Sequence, residues 1–357
     1  ATGTGTFLVE VIDLIHKTMV SKWQSQSLLP NEIDTLWNKY VPKHLLPRLF
    51  GYELLMAPYS IAHLKIGLKL SETGYRFGSD EPVRIYLTNS LEPPSDQQLR
   101  LDLLPALAGE AQAVNAIKRN HRFTVVIGNP PYSASISEPP WLMKKMDEWK
   151  RNLKERKVDL NREEWKFLRL AEHLCELSGC GVIGNIINRD FLDGITKRRM
   201  REHLQGCFPV RLIYDLNGDV KGNIRDENVF EIQQGVCVVF LAKTFSEPRQ
   251  HYRSIVGTRE SKYDFLTSTQ GAYAADETPQ PVSPYFAWVP SEHQEEPGTV
   301  ESYETWQPIT SIFPLYSSGI QTKRDSLTIK YSHSELWDTV REFNSLPVET
   351  ARKIGRA

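Results

Sequence analysis

The apolar run Thr124-Val125-Val126-Ile127-Gly128 stops at Asn129-Pro130-Pro131-Tyr132, and that junction constrains the fold more than any other stretch. It reads as the turn at the carboxyl end of a buried parallel strand. Ligand sites in open α/β sheets form at that edge. An amide side chain, a prolyl carbonyl and an aromatic ring placed there together can hold a planar heterocycle carrying an exocyclic amine. The competing reading is a Pro-rich turn that only ends a strand, because Asn and Pro are common turn residues.

The chain opens with Ala1-Thr2-Gly3-Thr4-Gly5-Thr6-Phe7, followed by helical apolar spacing over Leu8–Ile15. Two glycines let a backbone approach a ligand closely, and the helix start offers free N–H groups. Such a loop fits a nucleotide, a dinucleotide or a tight turn equally well. It is not a phosphate-cradling Walker loop, since no Gly-Lys-Ser/Thr follows. Further along, strands are expected at 45–53, 83–87, 124–128, 181–187, 208–216 and 229–241. Helices are expected at 58–70, 111–119 and 164–177, with a helical excursion over 25–43. Strands alternating with helices argue for a parallel sheet packed on both faces.

A Gly-spaced loop, a strand ending in Glu53 and a strand ending in Asn-Pro-Pro-Tyr form a more specific combination. It resembles the S-adenosylmethionine-dependent N6-adenine DNA methyltransferases of γ-type motif order. The stretches 49–60 (Leu-Phe-Gly-Tyr-Glu-Leu-Leu-Met-Ala-Pro-Tyr-Ser) and 319–325 (Gly-Ile-Gln-Thr-Lys-Arg-Asp) are similar to the methyltransferase region of single-chain type ISP restriction-modification enzymes. The resemblance implies a Rossmann-like methyltransferase fold, a seven-stranded mixed sheet with its last strand antiparallel. It also implies a strand ending in an acidic residue and a proline ahead of Ala1, so the expectation is a fragment whose cofactor site is cut at one edge. The expected division is a catalytic domain over 1–246, a surface connection over 247–302 rich in Ser, Thr, Pro and acids, and the start of a target-recognition region over 303–357.

By the same resemblance, Ala1, Thr2, Gly3, Gly5 and Phe7 line the cofactor's methionine part, and Glu53 accepts from its ribose hydroxyls. Asn89 and Ser90 stand near its adenine, with Asn89 where the family commonly has Asp. Asn129 Oδ1 and the Pro130 carbonyl accept both N–H groups of the target amine, localising a lone pair otherwise delocalised into the ring. The fixed φ of Pro130 holds its carbonyl rigid, Pro131 continues the motif, Tyr132 stacks on the base, and Phe230 packs on it as well or is an ordinary core residue. The target must flip out of the duplex to reach such a pocket. Transfer is then direct, without a metal. Double-stranded DNA is the expected partner, together with other domains of the parent polypeptide, with nuclease and ATPase as the candidates.

The net charge of −1 argues against a nonspecific polycation, so local patches decide nucleic-acid contact. Two are visible, 197–201 (Lys-Arg-Arg-Met-Arg) and the lysine-rich 143–157; each is also readable as a solvated helix face. Trp141 and Trp149 read better as buried anchors than as DNA wedges. Cysteines 175, 180, 207 and 237 and the nine histidines show no metal-ligand spacing. No run is long enough to span a membrane and no signal peptide is recognisable; the cysteines also lack disulfide-framework spacing, which makes a reducing cytoplasm the expectation. Cytosine C5 chemistry lacks its Pro-Cys nucleophile. Methylation of RNA, of a protein glutamine or of cytosine N4 stays open, as does a catalytically silent DNA-recognition module.

Overall fold

The computed structural model describes residues 2–78, 81–94, 105–132, 137–153, 155, 159–218, 226–268, 278–290, 307, 311 and 330–347. Two compact units divide the chain at residue 292. In the first, helix α1 (Thr6–Ser25) begins after Gly5, whose φ of 79° turns the chain through the left-handed region. Helix α2 (Pro30–Tyr40) and the turn Val41–Leu45 fill the polar stretch read as a helical excursion. Helix α3 (Met56–Glu72) buries Ala62, Ile66 and Leu70 at i, i+4 and i+8. It connects strand β1 (Phe50–Glu53) to strand β2 (Arg84–Leu87), which pair in parallel with Phe50 opposite Arg84 and Glu53 opposite Leu87. Ile12, Trp37, Val41 and Ile66 close this first core.

Strands β3 (Val125–Gly128), β4 (Gly181–Asn188), β5 (Val210–Asp215), β6 (Val236–Lys243) and β7 (Arg249–Ser254) form a second sheet in the order β3-β4-β6-β5-β7. β3 runs parallel to β4, and β7 parallel to β5. β6 runs antiparallel to both of its neighbours. Helices α4 (Pro105–Asn120), α5 (Pro140–Lys150), α6 (Glu163–Ser178), α7 (Asp190–Asp193), α8 (Arg198–Cys207) and α9 (Arg259–Ser268) complete the unit. Its larger core holds a run of rings: Trp165 lies 6.0 Å from Phe191, and Phe191 5.0 Å from Trp288.

An α/β architecture with a mixed sheet is therefore present, and several finer expectations change. Among the described residues the seven strands form two sheets rather than one, and a further strand, β7, follows the antiparallel β6. Residues 45–48 are helical turn, because Leu45 and Leu46 turn into the first core directly from α2. Val229–Gln234 is a loop, and the strand starts at Val236. β7 and the fully buried Trp288 lie in the stretch read as surface connection. Strand β3 is not buried: it is an edge strand, with Val125 61% and Ile127 38% exposed. A cavity of about 360 Å³ lies between β1 and β3.

In the second unit, helix α10 (His333–Ser345) is capped by Ser332, whose Oγ accepts from the Glu335 amide at 3.3 Å. Most of 303–357, expected to begin target recognition, lies outside the described residues. No described helix is long and apolar enough to cross a membrane.

Candidate functional site

The opening loop is built onto β1. Thr2 donates its amide to the Tyr52 carbonyl at 2.8 Å and its hydroxyl to the same oxygen at 3.0 Å. Gly3 donates its amide to Glu53 Oε2 at 2.8 Å, while Leu54 and Leu55 donate to Oε1 at 2.9 and 3.0 Å. Glu53 is thus a buried carboxylate holding three backbone amides. An ionised carboxylate has about four acceptor sites, so about one remains for a hydroxyl. Gly5 serves a second purpose, since a Cβ there would sit 3.1 Å from Ala62 Cβ. Ala1 lies outside the described residues.

Thr2, Phe7, Gly51, Tyr52 and Ser90 line the cavity from this side. The Tyr52 hydroxyl is buried in that wall without a hydrogen-bond partner, and burial raises its pKa. Asn89 is placed differently: its Oδ1 accepts from the Leu91 amide at 3.0 Å and its Nδ2 donates to Glu92 at 3.1 Å. Its amide closes its own turn and does not line the cavity. The cation of this loop is Lys118 of α4, which donates to Thr88 Oγ1, the Asn89 carbonyl and the Glu92 carbonyl. Burial lowers its pKa to about 8, against the pull of Glu92. No local pattern around Lys118 announces this position.

Across the cavity, Val126, Gly128, Asn129 and Pro130 form the opposite wall, with Asn185 of β4 behind Gly128. Asn129 is exposed, and among the described residues neither its side chain nor the Pro130 carbonyl has a hydrogen-bond partner. Pro131 is exposed and Tyr132 half-buried. The Tyr132 hydroxyl is buried without a partner, and desolvation raises its pKa.

Tyr132 and Phe230 pack against one apolar cluster, formed by Leu216, Val229, Val236 and Ile255. The loop that carries Phe230 is stitched by Asn228, which is buried and donates Nδ2 to the carbonyls of Gly218, Ile232 and Gln234 at 3.1, 3.1 and 2.7 Å. Its Oδ1 accepts from the Phe230 amide at 2.9 Å. Arg162, just before α6, donates to the Tyr132 carbonyl at 3.2 Å and to Gln234 Oε1 at 3.4 Å. Its Nε lies 3.3 Å from Glu164, a fully buried carboxyl whose pKa burial raises to about 7. Asn228, Arg162 and Gln234 escape sequence reading because their partners are distant in the chain.

The basic run 197–201 is neither a phosphate track nor a solvated face. Lys197 is buried on Asp190 at 2.5 Å, and Arg198 pairs with Glu155. Arg201 is fully buried, donating to the carbonyls of Phe191, Gly194, Tyr285 and Phe286. In 143–157, Lys145 pairs with Glu176 and Lys150 with Asp147; residues 154 and 156–158 lie outside the described residues. Trp149 is fully buried, and Trp141 packs on His173 and donates to the Leu91 carbonyl. Glu172, His203 and Cys207 bring ligand-type atoms within 4.8 Å of one another. Arg169 already lies 2.6 Å from Glu172, so the cluster is an ion-pair network.

These elements define a class: an α/β unit with glycines and a buried acid at the carboxyl end of β1 and free acceptors at the carboxyl end of β3, facing one cavity. No family model matches the chain, and no curated protein matches it. Solved structures do. LlaBIII, an ATP-dependent type ISP restriction-modification enzyme bound to DNA, is similar with a TM-score of 0.73 and 21% identity, over 96% of this chain and 24% of that one. A nuclease-deletion mutant of the type ISP enzyme LlaGI, in complex with a DNA substrate mimic, gives 0.74 and 23% over 96% and 28%. The DrdV–DNA complex gives 0.71 and 23% over 96% and 34%. The resemblance to type ISP enzymes read from the sequence is thus present in the fold, across nearly the whole chain. The chain spans about a quarter to a third of the length of these structures.

Proposed function

We propose that this chain is the methyl-transfer region of a restriction-modification enzyme, acting on adenine N6 in double-stranded DNA. The observation that carries this reading is the pair of free acceptors, Asn129 Oδ1 and the Pro130 carbonyl, at the mouth of the cavity. Two adjacent acceptors match the two N–H groups of an exocyclic amine, and the φ of Pro130 is fixed by its ring. Such preorganisation holds the amine in the geometry that frees its lone pair, without reorganisation during reaction. Tyr132 and Phe230 supply flat apolar surface for the base.

The opposite wall fits S-adenosylmethionine. Gly51 lines the cavity, Gly3 has open space where a side chain would stand, Phe7 offers an apolar face, and Tyr52 carries an unsatisfied hydroxyl. When bound, that cofactor supplies an electrophilic methyl group with a neutral thioether as leaving group. Thr2, Gly3 and Gly5 hold its methionine part, Glu53 offers its remaining acceptor site to the ribose, and Ser90 stands near the adenine. The likeness to enzymes solved on DNA favours DNA over RNA or protein as substrate.

The test uses the full-length polypeptide, labelled S-adenosylmethionine and unmethylated DNA, with identification of the product nucleoside. Asn129→Ala is expected to lower kcat by about 100-fold or more, as loss of one preorganised polar group does. Cofactor affinity is expected to change little. Loss of affinity equal to the loss of rate would remove Asn129 from the chemistry. A product other than N6-methyladenine would reassign the substrate.

A further inference from the structure

Two segments meet the base in the reading above, and they are far apart in the chain: the turn 129–132 and the loop 228–235. Between them stands Arg162. A single Nη2 donates to the Tyr132 carbonyl at 3.2 Å and to Gln234 Oε1 at 3.4 Å. The acceptor side of Gln234 is further fixed by Asn188 Nδ2 at 2.8 Å, at the carboxyl end of β4. Its backbone carbonyl is held by Asn228, the residue that also holds the Phe230 amide. From Tyr132 through Arg162 and Gln234 to Phe230, each link is a direct hydrogen bond or one short loop.

The guanidinium is held from behind. Its Nε lies 3.3 Å from Glu164 Oε1, and Nη1 3.6 Å from Asp159. Neither Glu164 oxygen accepts a hydrogen bond, and the side chain is fully buried. A carboxyl buried at such cost makes sense where a planar cation must stay in one orientation, since Arg presents its donors as a rigid fork. A lysine at 162 would bring a single ammonium in place of the fork, losing the Nε that faces Glu164 and the Nη1 that faces Asp159.

We propose that Arg162 is a positioning residue that sets the spacing between Tyr132 and Phe230, the two aromatic walls for the flipped base, with Glu164 as its buried counter-charge. This rests on the reading of the turn as the amine-binding site. Arg162 touches neither base nor cofactor. Its loss therefore moves kcat on DNA and leaves cofactor binding in place.

Two measurements on the full-length polypeptide separate the brace from the reading it rests on. The first is hydrogen exchange of peptides spanning 126–132 and 228–236 in the wild type, Arg162→Met and Arg162→Lys. Both segments are expected to exchange faster together in Arg162→Met; acceleration of only one, or of neither, overturns the brace. The second is methyl transfer to unmethylated DNA. Arg162→Met and Gln234→Ala are each expected to lower kcat by about 10- to 100-fold, as misplacement without loss of the reacting groups does. The S-adenosylmethionine Kd should stay within about twofold. The double variant should be no worse than either single one, because residues of one network are not additive. Arg162→Lys should fall between wild type and Arg162→Met. Additive losses, or wild-type kcat in Arg162→Met, overturn the positioning role. A wild type that transfers nothing to DNA overturns the reading of the turn, and the exchange result then still decides the brace.

Discussion

Glu172 lies fully buried between two cations. Arg169 Nη1 is 2.6 Å from its Oε2, and His203 Nε2 is 2.5 Å from its Oε1. Cys207 Sγ meets the same imidazole nitrogen at 3.6 Å, and the indole of Trp149 covers the ring from 6.5 Å. The thiol and the carboxylate together raise the His203 pKa to about 10, from an ordinary value of 6.5. A group whose pKa is raised by folding stabilises the fold fully below its unfolded value and loses that contribution as pH rises through the folded one. Stability should therefore decline between pH 6.5 and 10. His203→Gln, which keeps a donor but does not titrate there, should flatten that decline in urea midpoints measured across the window. An unchanged slope in the variant would remove His203 from the account. The cluster also shows what sequence spacing hides. His203 and Cys207 share one face of α8, but Glu172 comes from α6, 31 residues earlier. The site divides along the same line. Asn129–Tyr132 and the glycine loop are contiguous and could be read directly, whereas the partners of Arg162 lie 30 and 72 residues away. Asn89 was read by motif position, and its amide is taken by its own turn.

Where α1 meets α3, two glycines two residues apart experience different surroundings. Both have positive φ, 59° at Gly3 and 79° at Gly5, but a Cβ at Gly3 meets nothing within 4 Å. At Gly5 it meets Ala62 Cβ at 3.1 Å and Ala62 Cα at 3.2 Å. A left-handed backbone alone costs a non-glycine residue about 1–2 kcal/mol. Crowding against a helix backbone adds to this, so Gly5→Ala should destabilise by about 2–4 kcal/mol. Gly3→Ala should cost only the first part. Denaturant unfolding of the two variants checks the difference, and equal losses would mean that α3 yields without strain. Helices with clear apolar spacing, such as α1, α3 and α6, were legible in the sequence because one face repeats at the helical period. Strand β7 was not, because Arg-Gln-His-Tyr-Arg-Ser contains no apolar run. Its inward positions are Gln250, which accepts from Arg211 at 2.8 Å, and Tyr252, which donates to Asp215.

At the scale of the molecule, alternation of strands and helices made the α/β class readable, but not which strand edges pair. The two sheets of the first unit share no backbone ladder. What joins them near the cavity is aromatic contact, Phe50 with Phe123 at 5.2 Å and Tyr52 with Phe123 at 6.4 Å, plus the bond from Trp141 to the Leu91 carbonyl at 2.9 Å. Ring contacts of this kind contribute about 0.5–1.5 kcal/mol each beyond their buried area, far less than a shared ladder with its flanking core. The cavity has one wall on each sheet. A ligand that fills it therefore touches both, and its binding free energy should be felt by both. At 100 times its Kd, a ligand specific for the folded state adds about 2.7 kcal/mol of stability. Hydrogen exchange with and without S-adenosylmethionine reads where that energy goes. Peptides over 2–9 and 49–54 on one side and over 125–132 on the other should gain protection in the same concentration range. Protection confined to the first pair would place the ligand on β1 and the glycine loop alone, with the turn 129–132 left uncoupled from it. Protection of neither would take S-adenosylmethionine out of the cavity.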